Sequence, residues 1–312
     1  MRISALTLAV VSLLAFSTPL LAQDQPQWVT ELPSSDRDTY RAVATAETHA
    51  QATQTALAAI AEQVAVSLRS ESLSVYDKQT SAQGTDTQSQ FSLTVAGQSV
   101  PLQFSNIAPE QSYRHADGTV SVKVAVKKAA VHDFLKNQID QYSELRFPTQ
   151  ADSQQQLLWL LRYKQPLQTA NAYALALAQL DPSQTDNPFN QQLVELTRVE
   201  QSLGLRVIAS RDLNIIAGVI QRNTPSQSQP DLWLQLEQQA QQRQSNTGYL
   251  HRQQLIASVT EPQSPFRQLH QQIIEVIGTG ATPEDAATDA QNQLKAMVAQ
   301  PVSNWLFDAS IE

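Results

Sequence analysis

Residues 39–66 read TYRAVATAETHAQATQTALAAIAEQVAV, and residues 273–298 read IIEVIGTGATPEDAATDAQNQLKAMV. In the first stretch, Thr39 to Ala46 reads as a short strand. Thr48 follows as an N-cap, and Gln51 three residues on predicts a capping box. Ala52, Ala56, Ile60 and Val64 then recur at i,i+4 spacing, the buried stripe of a helix whose small alanines let it lie close against a sheet. The second stretch repeats the device: Thr282 at N-cap, Pro283 at N1, Glu284 and Asp285 in the first turn, and Ala286, Ala290, Leu294 and Val298 turned inward. Thr45, Thr48, Ala52, Ala56, Ile60 and Val64 fall in order on Thr279, Thr282, Ala286, Ala290, Leu294 and Val298. Common descent and convergent packing both explain the echo. In either case the chain is expected to be α+β, with one such strand–helix unit near each end.

Working outward, segments 67–76 and 90–104 read as strands. Val120, Val122, Val124 and Val126 alternate with Ser121, Lys123, Ala125 and Lys127, a period of two that marks a strand. Asp117-Gly118 just before it is a hairpin turn signal. A helix over 129–140 completes a β-α-β-β-β-α unit with its helices against one antiparallel sheet. Residues 151–203 switch to helical spacing, with Pro166 predicted at the junction of two helices and Leu180-Asp181-Pro182 ending the second. This hairpin resembles a tetratricopeptide unit, but no second copy follows to bury its face, so it reads as a linker. After Gly204 come a strand at Leu205–Ser210, a helix at Asp212–Gln221, a loop at Asn223–Pro230 and strands over 231–242, 248–260 and 265–277. Asn246-Thr247-Gly248 and Pro262-Gln263-Ser264-Pro265 separate the strands, and Pro301 ends the last long helix. The expected division is a signal peptide (1–22), an α+β domain (23–147), a helical linker (148–203) and a C-terminal α+β domain (204–312), sandwich-like, with the second alanine-rich helix.

Composition limits the function. The 312-residue chain carries a formal charge of -8, which argues against nucleic acid as a partner, because phosphate binding needs concentrated Lys and Arg. It has no cysteine, which removes disulfides, thiolate nucleophiles, sulfur-ligated metals and lipid attachment at Cys. Its 44 glutamines make much of the surface neutral amide. Arg2, the apolar run Ile3–Phe16, Pro19 and Ala22 have the layout of a bacterial export signal, cleaved before Gln23, with Leu20 in place of the usual small residue at -3. The run is short for a membrane span, and no later stretch is long enough. A periplasmic product with no integral span is expected.

Pro26-Gln27-Trp28-Val29, Pro33, the strand at Tyr40, the alanine-rich helix through Ile60-Ala61, and Asp117-Gly118 with its valine strand resemble the LPP-twenty-like lipoprotein domain over residues 26–140. The resemblance implies a bacterial cell-envelope protein with no established catalytic residues. The same kind of domain occurs in an accessory protein of polar-flagellum basal-body rings. The chain departs from the lipoprotein pattern in having no Cys to acylate, which favours a free periplasmic form.

Few motifs invite chemistry. Gly278-Thr279-Gly280 between a strand and a helix suggests a dinucleotide fingerprint, but Pro283 occupies the third glycine position, so a tight turn is expected. Gly97-Gln98-Ser99-Val100-Pro101 is similar to a nucleophile elbow without its last glycine or a following helix. His49, His115, His132, His251 and His270 have no ligand spacing. Asp36 with Asp38, and Asp285 with Asp289, have the makings of acid–base pairs but read more simply as caps and solvated acids. Gln238, Gln239, Gln241, Gln242, Gln244, Gln253, Gln254, Gln271 and Gln272 decorate the C-terminal sheet, as a solvated surface or as an interaction face or pairing edge. Trp28 and Trp305 are candidate partner-binding residues, or core residues closing each domain.

No catalytic residue, cofactor or metal is expected. The sequence predicts a non-enzymatic periplasmic binding or assembly module, whose partners are envelope or flagellar-assembly proteins or a second copy in a homo-oligomer. A structural component of a flagellar basal-body ring is the alternative, and a hydrolase or nucleotide-binding enzyme is a third reading.

Overall fold

A computed structural model of the chain describes residues 25–31, 34–68, 72–76, 89–104, 107, 109–183, 186–245 and 248–307. The predicted signal segment and the Asn246-Thr247 break lie outside these residues. A short helix α1 (Gln27–Thr30) leads to β1 (Thr39–Ala46) and α2 (His49–Ser67). The Gln51 amide donates to the Thr48 hydroxyl at 3.2 Å, while the Gln51 side chain accepts from that same hydroxyl at 3.1 Å. The cap is present, but the glutamine bonds the hydroxyl. Ala52, Ala56, Ile60 and Val64 are all fully buried.

After α2 come β2 (Ser72–Tyr76), β3 (Ser89–Val95), β4 (Gln98–Phe104), β5 (Gln111–Arg114), β6 (Val120–Lys127) and α3 (Lys128–Asp140). They form two antiparallel three-stranded sheets, ordered β1-β6-β5 and β2-β3-β4. The predicted α+β order is present, with additions. The segment 90–104, read as one strand, is a hairpin turning at Ala96-Gly97, whose φ values of 49° and 74° are both left-handed, as a two-residue hairpin loop requires. β5 is a further strand. The strand expected from 67 begins only at Ser72, because α2 runs to Ser67.

The central region also differs from expectation. Pro166 does not separate two helices; it lies inside one helix, α4 (Ser153–Leu180), capped by the Asp152 carboxylate. An interior proline costs a helix about 3 kcal/mol. Full burial of one leucine contributes about 1.5–3 kcal/mol, and Leu157 and Leu167 are both fully buried, so continuity wins. The helix also serves two cores. Leu157, Leu160, Leu161, Leu167 and Ala170 enter the C-terminal core, whereas Ala172, Tyr173, Ala176 and Leu177 enter the N-terminal one. The Tyr173 hydroxyl donates to the Pro101 carbonyl of β4 at 3.2 Å, and burial raises its pKa. α5 (Pro188–Glu200), capped by Asn187, packs on α4.

The C-terminal region comprises β7 (Leu205–Ala209), a 3₁₀ turn (Arg211–Leu213), α6 (Asn214–Arg222), β8 (Leu232–Ser245), β9 (Gly248–Thr260), β10 (Gln268–Gly280), α7 (Pro283–Val298) and α8 (Val302–Leu306). The sheet order is β10-β9-β8-β7, antiparallel except for β7 beside β8. α7 covers β10 and β9 with Ala286, Ala290, Leu294 and Val298. Gly278-Thr279-Gly280 is not the expected tight turn but the end of β10. A Cβ at Gly278 would run into the Ala286 carbonyl oxygen and the Ala290 amide, and one at Gly280 would lie 2.5 Å from the Ala286 nitrogen. The glycines are there so that the helix can approach.

Candidate functional site

The groups that carry chemistry are dispersed and mostly engaged. His49 is exposed on the first turn of α2. His132 lies 3.6 Å from Asp133 and 3.7 Å from Asp181. His270 stacks on Phe307 at 4.6 Å and hydrogen-bonds the Leu306 carbonyl at 2.6 Å. His251 is half-buried on β9, and its Nδ1 has no partner among the described residues. The Asp36 carboxylate is held below its usual pKa, first by the Arg41 guanidinium and then by the Asp38 amide. Asp285 completes a true capping box with Thr282, and Asp289 accepts from the Thr279 amide at 2.9 Å. These acids do not form acid–base pairs; they brace turns and helix ends. Ser99 hydrogen-bonds Ser92 across the β3–β4 hairpin. Among the described residues, no group of three or more His, Asp or Glu side chains is placed to hold a metal.

One arrangement was not legible in the sequence. On the β1-β6-β5 sheet, Ser121 Oγ lies 2.6 Å from His115 Nε2 and 2.6 Å from Thr45 Oγ1. A serine bonded to an imidazole is the core of a nucleophilic dyad. Here, however, Ser121, near the start of β6, is 0% exposed, with no room for a substrate carbonyl. The chain Thr45–Ser121–His115 therefore satisfies the buried Ser121 hydroxyl from β1 on one side and from the residue just past β5 on the other. Ser121 lies on the face opposite the valines, and the His115 and Thr45 side chains bond to it there.

Trp305 packs in the C-terminal core at 4% exposure, its indole N–H without a partner among the described residues. Trp28 is half-buried and, with Gln27 and Glu31, lines an open depression of about 430 Å³. The two tryptophans thus differ: only Trp28 presents a surface.

Two further features remain. A cleft of about 310 Å³ lies between α4, the end of α5 and the α7–α8 junction. Leu160, Leu161 and Val302 contribute its apolar surface, and Gln165, Gln168, Asn223 and Gln300 supply amides. The Lys164 ammonium binds both Glu200 carboxylate oxygens, at 2.6 and 2.8 Å, so the charge is matched within the cleft. The second is the ribbon formed by β8 and β9. Every residue from Glu237 to Gln244 is exposed, on both faces of the strand, and five of the eight are glutamine. On the outer face, Arg252 and Gln254 of β9 both donate to Glu275 of β10, holding that carboxyl below its usual range. Ile273 and Ile277 flank it at 55% and 51% exposure. Gln253, by contrast, faces inward and is buried at 3%. The glutamines predicted on this sheet thus divide among the exposed β8 stretch, the strands β9 and β10 (Gln254, Gln271 and Gln272), and one core position, Gln253.

No family matches the chain, and no curated protein matches it. Among solved structures, the secreted protein HP1454 from the human pathogen Helicobacter pylori is similar at 13% identity and a TM-score of 0.37, over 86% of this chain and 98% of that one. No described helix is long and apolar enough to cross a membrane.

Proposed function

We propose that this protein is a non-enzymatic binding or assembly module of the bacterial cell envelope. The observation that carries the reading is the ribbon of Glu237 to Gln244. It is a stretch of strand solvated on both faces, rich in side chains that both donate and accept hydrogen bonds. Such a surface adds little to a core and suits contact with another chain. The envelope assignment draws on Arg2, the Ile3–Phe16 run and Ala22 as an export signal, and on the LPP-twenty-like resemblance over residues 26–140. The domain limits 23–147, 148–203 and 204–312 belong to the same proposal, with α4 as the element joining two cores. Trp28 is a second contact candidate beside the ribbon.

Crosslinking in intact cells from ribbon positions, followed by mass spectrometry, is expected to recover envelope proteins; basal-body components among them would narrow the role to a flagellar ring. His49→Ala, His115→Ala, His132→Ala, His251→Ala, His270→Ala and Ser121→Ala are each expected to keep cellular function while folded. A folded, normally abundant variant of this set with a null phenotype would overturn the non-enzymatic reading.

A further inference from the structure

β7 pairs with β8 only from Leu232 to Leu236, ending at Ala209. From Glu237 to Ser245, β8 is bonded to β9 on one side, and no described strand lies on the other. A free strand edge presents unpaired N–H and C=O groups and templates the addition of another strand. Protected edges commonly carry Lys, Pro or a bulge; this one has neither Lys nor Pro, and its pairing with β9 runs without a register shift. The outer edge of β10 differs, because α7 side chains engage its backbone: the Thr279 amide donates to the Asp289 carboxylate at 2.9 Å and the Ile277 carbonyl accepts from the Gln293 side chain at 3.2 Å. β8 beyond Leu236 has no such cover.

We infer that this edge pairs antiparallel with the same edge of a second copy of this chain, about a two-fold axis at Gln241. Two features fix the occupant and the register. The first is length. The free edge is closed at one end by β7 and at the other by the chain reversal after Ser245. A two-fold at Gln241 sets Glu237 opposite Ser245 of the partner subunit and pairs the whole free stretch. A shift centred nearer Leu236 drives the mate into the end of β7. A notch of about 430 Å³, lined by Ser210, Asp212 and Glu237 among others, leaves room beside that junction for the end of the mate's strand. The second is charge. Glu237 and Arg243 are the charged residues of the edge, and they share one face because their numbers differ by an even count. In this register Glu237 lies diagonal to Arg243 of the partner subunit, within reach of long side chains, and the pair occurs twice. Gln241 meets its own copy at the axis, where one amide donates and the other accepts. The result is one continuous eight-stranded sheet across two subunits.

This inference names the partner of the ribbon and rests on the binding-module reading only in taking the ribbon as an interaction surface. The chain has no cysteine, so an engineered thiol is unique. Purified Gln241→Cys is expected to form a disulfide-linked dimer rapidly on mild oxidation. Gln239→Cys and Gln244→Cys, well off the axis, are expected to crosslink no faster than Ser226→Cys, an exposed position in the 223–230 tract. Glu237→Arg should weaken wild-type dimerisation by about tenfold in sedimentation, and adding Arg243→Glu should restore it. Circular dichroism confirms that each variant is folded. A monomeric wild-type chain, or equal crosslinking at positions 226, 239 and 241, would overturn the inference, even if cellular crosslinking captured an envelope protein. A dimer with no envelope partner would instead overturn the proposed function and leave the inference standing.

Discussion

The β1–α2 and β10–α7 units use one plan at two depths. Each is a strand at the edge of its sheet, followed by a threonine-capped helix whose four-residue stripe is wholly buried. Where the first unit has Ala44 and Ala46, half-buried, the second has Gly278 and Gly280, with α7 backbone in the space a Cβ would fill. The first helix thus rests on methyl groups, and the second rests on the strand itself. The difference teaches that an alanine stripe sets which face is buried, while the facing strand sets how close the helix comes. It also bears on function. α7 clamps β10 and β9 tightly, but it reaches the distal half of β8 only where the Gln242 side chain donates to the Pro283 carbonyl at 3.0 Å, and residues Glu237 to Gln244 stay exposed.

The two units should differ most in stability at the glycines. Gly278→Ala is expected to lower stability by about 3 kcal/mol or more, because the obstruction is helix backbone that cannot rotate away. The reciprocal Ala44→Gly should lose only about 0.5–1 kcal/mol, through strand entropy. Denaturant titration measures both, and equal losses would show that the two helices sit at one depth.

The stripes come next. Ala56→Leu and Ala290→Leu should each cost about 1–3 kcal/mol by overpacking, while Glu62→Leu on the exposed side of α2 should stay within about 0.5 kcal/mol. Gln54, which helical spacing puts on the outer side, is half-buried and makes a poorer control.

The stripes were readable because helical spacing and small residues speak for themselves. The depth was not, since Gly278 and Gly280 read equally well as a turn until α7 is seen above them. Similar limits explain the other departures. Apolar alternation changes phase across Ala96-Gly97, from Phe91, Leu93 and Val95 to Val100, Leu102 and Phe104, so the hairpin is marked in the sequence by that shift and by the glycine, although the segment reads at first as one strand. Pro166 is a sound helix-start signal overridden by tertiary burial on both sides of it. Of the candidate site, the exposed glutamines were legible, but the free edge was not, because it depends on where β7 stops. The Ser121–His115 contact closes across the turn at Asp117-Gly118, and its geometry depends on the hairpin register rather than on residue types alone.

Caps offer a smaller contrast. Thr282 sits in a reciprocal box and Thr48 does not, so Thr282→Ala is expected to lose about 1–2 kcal/mol and Thr48→Ala about 0.5–1 kcal/mol in thermal or chemical melts. Smallest of all are the exposed acids, Asp36 beside Arg41 in the first unit and Glu275 beside Arg252 in the second. Each has a lowered folded pKa, so its contribution is present above the ordinary carboxylate range and fades as pH falls through the lowered value. Asp36→Asn and Glu275→Gln should each slightly flatten the acid limb of the stability curve and shift the neutral plateau little, because exposed pairs contribute little.

If the uncovered half of β8 pairs with its own copy, its outward amides are shielded only in the dimer. Amide hydrogen exchange over Glu237–Ser245, measured on the wild-type chain at increasing protein concentration, reads this out. Protection of alternate amides in this stretch is expected to rise with concentration, while that of β9 and β10 stays constant. Exchange over Glu237–Ser245 that is fast and independent of concentration would contradict it.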